Sequence, residues 1–202
     1  MNLNPCHRFL LGMALVVIAR STTAQTAVPF IDQRGRTGVF VEGVFHEIEP
    51  RAAKTVYPNG DRLFYVSAEG DLRAFVDGRA QGVQRGEPGI AGGSRGQFAW
   101  TQGSMLLTFR NGSAEVVCRD VGHFTVHDSL IVFHNRMDRT LCVYWRGRSF
   151  PVADLLLDSD LPQWKAGPNT LVFYLRDQRK IVLVYRGETL DLCYGADYAL
   201  VS

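Results

Sequence analysis

The sequence has little cysteine, little proline, little uncompensated charge and no long apolar run. It contains four cysteines and eight prolines among 202 residues, and no apolar run reaches the ~20 residues that a membrane-spanning helix needs. Hydrophobic residues at 46% and charged residues at 21% exclude a disordered or collagen-like chain. What is plentiful is glycine, with 20 residues, and aromatic side chains, at 11%. This balance favours a turn-rich β protein.

The first 24 residues have the layout of a secretory signal peptide. A start with one positive charge, Arg8, precedes an apolar run over Phe9–Ala19, and the small residues Ser21–Ala24 follow. A charged start, an apolar core and a small-residue cleavage site are the three parts of such a signal. The alternative is a buried N-terminal strand or helix. We expect cleavage after Ala24 and a secreted or periplasmic chain of residues 25–202, without a transmembrane segment.

Removing this signal also removes the net charge. Residues 1–24 contain Arg8 and Arg20 and no acidic residue, so 20 of the 22 basic side chains remain, against 20 acidic ones. Phosphate binding needs clustered, uncompensated positive charge. A nucleic acid is therefore not an expected partner.

Cysteine usage gives a second constraint. Cys118, Cys142 and Cys193 remain after residue 24. Three is an odd number, so the fold is not built on a disulfide framework. The sequence leaves open whether any two of them pair, and buried, apolar thiols are the other interpretation.

Five copies of one short unit follow the signal. A glycine marks each copy, at intervals of 35, 34, 35 and 40 residues: Gly43, Gly78, Gly112, Gly147 and Gly187. Five residues after each glycine stands an aliphatic side chain: Ile48, Val83, Val117, Val152 and Leu192. Two landmarks that keep the same register indicate an internal repeat.

Each copy has the pattern of consecutive β-strands. In the last copy the apolar runs Leu171–Leu175 and Ile181–Tyr185 flank a polar turn, and a third strand follows the glycine and is predicted to end at the aliphatic residue. Asp77-Gly78 and Asn111-Gly112 are strong hairpin signals, because a two-residue turn needs positive φ at both positions. One more short segment lies between units. Four strands in about 35 residues, repeated, are typical of a β-propeller.

The chain resembles the β-propeller repeat class over about residues 27–202. The resemblance rests on the repeat, since Trp-Asp and kelch double-glycine signatures are absent, and it implies an all-β, five-bladed propeller of short four-stranded blades. The copies cover about 27–48 with 197–202, 53–83, 90–117, 122–152 and 162–192. We expect the C-terminal strand Tyr198–Val201 to close the ring by pairing with residues 28–32, which removes two free edges. The alternative is an open array of blades, part of a larger propeller.

No set of residues in the sequence specifies a reaction. The predicted innermost strands carry one acidic residue, Asp197, whereas glycoside cleavage needs two facing carboxylates, and no nucleophile motif of the G-x-S-x-G kind occurs. We assign no catalytic residue, metal ligand or cofactor. The leading hypothesis is a binding or scaffold module for a glycan, an envelope component or a protein. The alternatives are a carbohydrate-active or other hydrolytic enzyme that uses the central pocket, and a fragment or subunit of a larger propeller assembly.

The charged residues sort by turn. Turns between the second and third strands of a unit all emerge on one face of a propeller, and in three copies they are basic. The candidate ligand-binding residues are Arg34, Arg36, Arg136, Arg139, Arg176, Arg179 and Lys180. In a closed ring these three copies are neighbours, so the seven cations would form one arc that attracts an acidic glycan or an acidic protein.

Overall fold

The computed structural model of the chain describes residues 26–94, 96–155, 163–167, 169–176 and 178–194. These residues form nineteen β-strands in five antiparallel sheets that follow one another along the chain. None of them belongs to a helix long and apolar enough to cross a membrane. The all-β prediction is confirmed.

The strands have the following bounds. The first sheet contains β1 (Val28–Ile31), β2 (Thr37–Val41) and β3 (Val44–Glu49). The second contains β4 (Thr55–Asn59), β5 (Arg62–Val66), β6 (Leu72–Val76) and β7 (Arg79–Gln84). The third contains β8 (Ala91–Ser94), β9 (Gln97–Gln102), β10 (Met105–Arg110) and β11 (Ser113–Cys118). The fourth contains β12 (Val121–His127), β13 (Leu130–Asn135), β14 (Thr140–Trp145) and β15 (Arg148–Asp154). The fifth contains β16 (Gln163–Gly167), β17 (Thr170–Leu175), β18 (Lys180–Tyr185) and β19 (Glu188–Tyr194).

Every sheet is a meander in which each strand pairs with the next one in the chain. Sheets two to five have four strands and the first has three, as expected for a first copy without an innermost strand. β4 contacts β8, and β8 contacts β12, so the first strands of successive sheets lie side by side, as blades of a propeller do. The predicted pairing of Tyr198–Val201 with residues 28–32 lies outside the described residues, and closure of the ring stays a prediction.

The repeated glycine is the second residue of the same hairpin turn in all five sheets. Both turn residues have positive φ, between 49° and 88°, in each of five dipeptides: Glu42-Gly43, Asp77-Gly78, Asn111-Gly112, Arg146-Gly147 and Arg186-Gly187. A two-residue turn of this kind matches the right-handed twist of the two strands that it joins. The hairpin predicted from the glycine spacing is confirmed.

The repeated aliphatic residue is not the end of a strand, as the sequence predicted, but a β-bulge inside it. In the first sheet Thr37 pairs with Glu49 and Gly38 pairs with Glu47, so Ile48 is the extra residue. The other four bulges leave out Val83, Val117, Val152 and Leu192 in the same way. The bulge turns the extra side chain and its successor to one face and sharpens the local twist. The last strand of each sheet therefore continues one or two residues past the landmark.

The core consists of apolar layers between successive sheets. One layer joins the first and second sheets around Val39 and Tyr65, and the next joins the second and third around Leu72 and Trp100. A third layer joins the third and fourth sheets, and a fourth joins the fourth and fifth. Each of sheets two to four is thus covered on both faces. We call the face toward the next sheet in the chain the forward face, and the other the backward face.

Candidate functional site

The predicted cations lie at one end of the sheets, which we call the turn face. It carries the β1–β2, β5–β6, β9–β10, β13–β14 and β17–β18 turns together with the loops that link successive sheets. The amide of Arg136 donates to the carbonyl of Asp120 at 2.9 Å, and the amide of Leu155 donates to the carbonyl of Arg139 at 2.7 Å. These bonds fasten the β13–β14 turn to the loops on either side of it.

The β1–β2 turn is organised by one carboxylate. Oδ1 of Asp32 accepts the amides of Arg34 at 2.8 Å and Arg36 at 2.9 Å, and its Oδ2 accepts Nε of Arg36 at 2.8 Å. The amide of Arg36 is the main cause that lowers the pKa of Asp32. Arg36 also forms an ion pair with Glu47, so its charge is balanced locally. Arg34 is exposed.

The β13–β14 and β17–β18 turns present most of the remaining cations to solvent. Arg136, Arg139, Arg176 and Arg179 are all exposed. Lys180 differs, because its Nζ lies 2.7 Å from Oδ1 of Asp191 on the neighbouring strand. The fourth and fifth sheets share a core layer, so these two turns lie on adjacent sheets.

Two of these arginines have a strained backbone. Arg139 has a φ of 52° and Arg179 a φ of 45°, which lies in the left-handed region where glycine and asparagine are favoured. Holding a longer L-residue there costs about 1–2 kcal/mol. Arg146 and Arg186 share this conformation, but they stand in the hairpin turns at the opposite end of the sheets.

The structure adds a feature that the sequence did not reveal, a cavity of about 680 Å³ on the turn face between the third and fourth sheets. Its polar lining includes Arg119, Asp120, Asn135 and Asp138, and it opens next to the exposed Arg136 and Arg139. Nδ2 of Asn135 donates to Oδ2 of Asp138 at 2.7 Å. A bulge at Val117 forms part of the wall, and no sequence pattern marks the space that such a bulge opens.

Two thiols line the same cavity. Cys118 and Cys142 are buried, and burial is the main cause that raises the pKa of each. A thiol with a raised pKa stays protonated and weakly nucleophilic at neutral pH. No disulfide joins the three cysteines in the described part of the chain. In the same residues no group of three or more His, Cys, Asp or Glu side chains could hold a metal ion.

The seven predicted residues therefore fall into two groups. The β13–β14 and β17–β18 residues occupy adjacent sheets, whereas Arg34 and Arg36 lie on the first sheet, whose described core layer is shared with the second. On the second sheet the turn face is of mixed sign. Arg51 lies 3.3 Å from Glu69, and Lys54 lies 3.5 Å from Glu87. One continuous arc of all seven stays a prediction.

Comparison with solved structures finds propellers of varied function at low identity. Hsv2 of Kluyveromyces lactis is 13% identical with a TM-score of 0.40, over 83% of this chain and 62% of Hsv2. Apo AztD of Citrobacter koseri is 13% identical with a TM-score of 0.46, over 84% and 56%. A catalytically inactive virginiamycin B lyase of Staphylococcus aureus is 11% identical with a TM-score of 0.37, over 88% and 73%. The chain spans about 60% of the length of Hsv2 and AztD. No curated protein matches it in sequence.

The match to a family model is extensive. The model describes a 10-bladed beta propeller domain, and it matches residues 21–196, which include all five sheets. The propeller predicted from the repeat is thereby confirmed, whereas the predicted number of five blades is not. The chain belongs to the 10-bladed beta propeller domain family.

Proposed function

We propose that this protein is a secreted or periplasmic propeller module that binds an acidic partner on its turn face. The partner is an acidic glycan, another envelope component or an acidic protein surface. The binding residues are the cations of the three basic turns: Arg34, Arg36, Arg136, Arg139, Arg176, Arg179 and Lys180. Arg36 and Lys180 position neighbouring groups through their ion pairs, and the exposed arginines reach the ligand.

The observation that carries this proposal is the group of four exposed arginines on the adjacent β13–β14 and β17–β18 turns, two of which, Arg139 and Arg179, also have a strained backbone. At a turn position with positive φ, glycine or asparagine would be the less costly residue. Both side chains are exposed, so the core layers do not require an arginine at either position. Residues held in sparsely populated backbone conformations cluster at functional sites. A guanidinium also suits carboxylate or phosphate groups, because it donates two parallel hydrogen bonds.

A direct test uses a uronic-acid oligosaccharide as the probe and a neutral oligosaccharide of the same length as its control. The mature chain should bind the acidic probe and not the neutral one. Charge reversal with Arg136→Glu and Arg179→Glu should weaken binding, and the loss should shrink as salt rises, because exposed charges are screened beyond ~10 Å at 0.1 M salt. Binding of the acidic probe that both substitutions leave unchanged at low salt would reject these turns as the site.

A second pair of variants separates binding from folding. Arg139→Gly and Arg179→Gly relieve the strain, so the melting temperature should stay equal or rise while binding of the acidic probe falls. Arg146→Gly and Arg186→Gly make the same change at the opposite end of the sheets and should leave binding unchanged. Equal loss of binding from both pairs would contradict a site on the turn face.

Export is tested independently of the ligand. N-terminal sequencing of the protein recovered from the periplasm or medium should give Gln25 as the first residue. Retention in the cytoplasm with Met1 in place would contradict the proposed location.

A further inference from the structure

The contacts between successive sheets repeat as regularly as the strands themselves. The second, third and fourth sheets carry an aromatic side chain three residues before the marked glycine. These side chains lie on the backward face, on β6, β10 and β14 respectively: Phe75, Phe109 and Tyr144. All three are nearly inaccessible to solvent, because the forward face of the preceding sheet covers them. His46 of the first sheet, for example, contacts Phe75 of the second with ring centroids 5.0 Å apart and the rings tilted by 52°.

The same position in the first sheet is uncovered. Phe40 is 47% exposed, and its neighbours on the backward face are exposed as well: Val28 by 53%, Phe30 by 36% and Phe45 by 51%. Phe30 and Phe45 contact each other with centroids 5.0 Å apart. In the described part of the chain, no sheet lies against this face.

The forward face of the fifth sheet is the matching surface. Its bulge residue Leu192 is 53% exposed and its neighbour Leu190 is 49% exposed. The four equivalent bulge residues all lie in or against the layer shared with the next sheet: Ile48, Val83, Val117 and Val152. Leu192 is thus an aliphatic residue at a position that packs against the next sheet in the other four cases. Among the described residues, no sheet follows the fifth.

The repeat also assigns which residues of the two open faces meet. Glu49 and Gln84 each stand six residues after the marked glycine of their sheet. Glu49 contacts Tyr65 of the second sheet, and Gln84 contacts Trp100 of the third. The residue at this position in the fifth sheet is Cys193, and the counterpart of Tyr65 and Trp100 in the first sheet is Phe30.

A second contact gives the same alignment. At two of the four junctions between sheets, the residue that precedes the hairpin turn of one sheet lies over the turn glycine of the next, whereas Gly78 and Gly112 have no such neighbour within 4 Å. A Cβ on Gly187 would lie 2.7 Å from Cε3 of Trp145, and a Cβ on Gly147 would meet the guanidinium of Arg110. The equivalent residue of the fifth sheet is Tyr185, which is 42% exposed, and the glycine that it would cover is Gly43, which has nothing within 4 Å.

We propose that the forward face of the fifth sheet binds the backward face of the first sheet in a second copy of this chain. The same contact, made twice, closes two five-sheet chains head to tail into a ring of ten sheets with twofold symmetry. Two observations favour a second copy over closure within one chain. Large apolar side chains on both faces are exposed in the single chain, among them Phe40 and Phe45 on the first sheet and Leu190 and Leu192 on the fifth. The family to which the chain belongs is described by ten blades, which is twice the five sheets described here.

The inference goes beyond the proposed binding role and does not depend on it. It has one consequence for that role, because the first sheet of one copy becomes the neighbour of the fifth sheet of the other. The basic β1–β2 turn then continues the basic turns of the fourth and fifth sheets across the interface.

The first test is the mass of the particle in solution. Sedimentation of the unsubstituted mature chain should give twice the mass of one chain. Val28→Asp and Phe40→Asp place a carboxylate in the interface and should each give single chains at the same concentration. Val116→Asp is the matched control, because Val116 is equally exposed on a strand of the third sheet, and it should leave the mass unchanged. A single-chain mass for the unsubstituted protein, or a mass above two chains, would overturn the proposal.

The second test identifies the faces and does not require that an aspartate variant fold. A chain carrying Phe30→Cys and Cys193→Ser is mixed with the unsubstituted chain under a mild thiol oxidant. A disulfide between the introduced thiol and Cys193 can then form only between chains, and we expect it in the dimer fraction. A chain that carries Phe30→Cys alone tests for closure within one molecule. If its introduced thiol forms a disulfide with Cys193 of the same chain, in a particle of single-chain mass, the proposal is overturned. Absence of any disulfide between these two positions would overturn it as well.

Discussion

Trp100 and Phe30 occupy the same position of the repeat in two different sheets. Trp100 is completely buried between the second and third sheets, where its Nε1 donates to Oε1 of Gln84 at 2.6 Å. Phe30 lies on the open backward face of the first sheet. The repeat therefore places an aromatic residue at the end of the array in the same way as in its middle. The sequence of each sheet thus provides apolar side chains for packing against two neighbouring sheets, even where the described chain contains only one of them.

The largest difference between the two regions should appear when these side chains are truncated. Trp100→Ala removes a buried aromatic residue from a core layer and should lower the free energy of unfolding by about 3–5 kcal/mol. Phe30→Ala should lower the free energy of unfolding of dissociated single chains by less, about 1–2 kcal/mol, because Phe30 is already 36% exposed. The same change should weaken association. Denaturant unfolding at low and high protein concentration measures both effects. Equal losses from the two variants at low concentration would contradict the comparison.

The position six residues after the marked glycine allows the same comparison between a covered and an open face, with a polar side chain on the covered one. Glu49 is buried, and its Oε1 accepts hydrogen bonds from Nη1 of Arg73 at 2.6 Å and from the hydroxyl of Tyr65 at 3.2 Å. Burial is the main cause that raises the pKa of Tyr65. Glu49→Ala should lower the free energy of unfolding by about 1.5–3 kcal/mol, the range for hydrogen bonds to charged groups. Cys193→Ala, at the equivalent place on the open face, should cost less than about 1 kcal/mol. Thermal unfolding of the two variants at low protein concentration checks the ranking.

The turn glycines offer a smaller contrast. Alanine at Gly187 or Gly43 must adopt a φ near +80°, which costs about 1–2 kcal/mol in either turn. At Gly187 the new methyl group would also displace the ring of Trp145, so Gly187→Ala should be the more destabilising change. The loss of stability caused by Gly43→Ala should become as large as that caused by Gly187→Ala only under conditions where the chain associates. A larger loss for Gly43→Ala in the single chain would contradict the contact pattern.

The smallest expected effect depends on pH. His127 accepts a hydrogen bond from Nε1 of Trp164 across the fourth and fifth sheets at 3.4 Å, and burial lowers the pKa of His127 below its usual 6.5. Protonation then favours the unfolded chain, so stability is highest above pH 6.5 and falls as the pH drops toward the folded-state pKa. Melting temperatures at pH 7.5 and pH 5.5 should show a small decrease that His127→Gln removes. A melting temperature that rises toward pH 5.5 would contradict this sign.

The strands and their hairpins were predictable, whereas the fine geometry of each sheet was not. The dipeptides Asp77-Gly78 and Asn111-Gly112 could be recognised because a two-residue turn requires a backbone conformation that few residues adopt. The aliphatic residue five positions later was recognised as a landmark but assigned to the end of a strand. The bulge places two successive side chains on one face. In a strand of six or seven residues this break in alternation looks the same as the end of the strand, so only the pairing register identifies the bulge.

The candidate site was predictable in its charges and not in its contacts. The basic turns could be located because turn residues follow directly from the strand pattern. The ion pairs of Arg36 with Glu47 and of Lys180 with Asp191 depend on which residues face each other across a bulged pair of strands. The cavity beside Arg136 depends on the spacing between two whole sheets. Neither property is encoded in a short stretch of sequence.

A crystal structure of residues 25–202, in which the sheets around one ring are counted, tests the ten-sheet ring most directly. We predict ten sheets from two chains about a twofold axis, with Leu190 and Leu192 of each chain packed on Phe40 and Phe30 of the other. A ring of five sheets closed within one chain would contradict it, and so would end sheets that remain open to solvent.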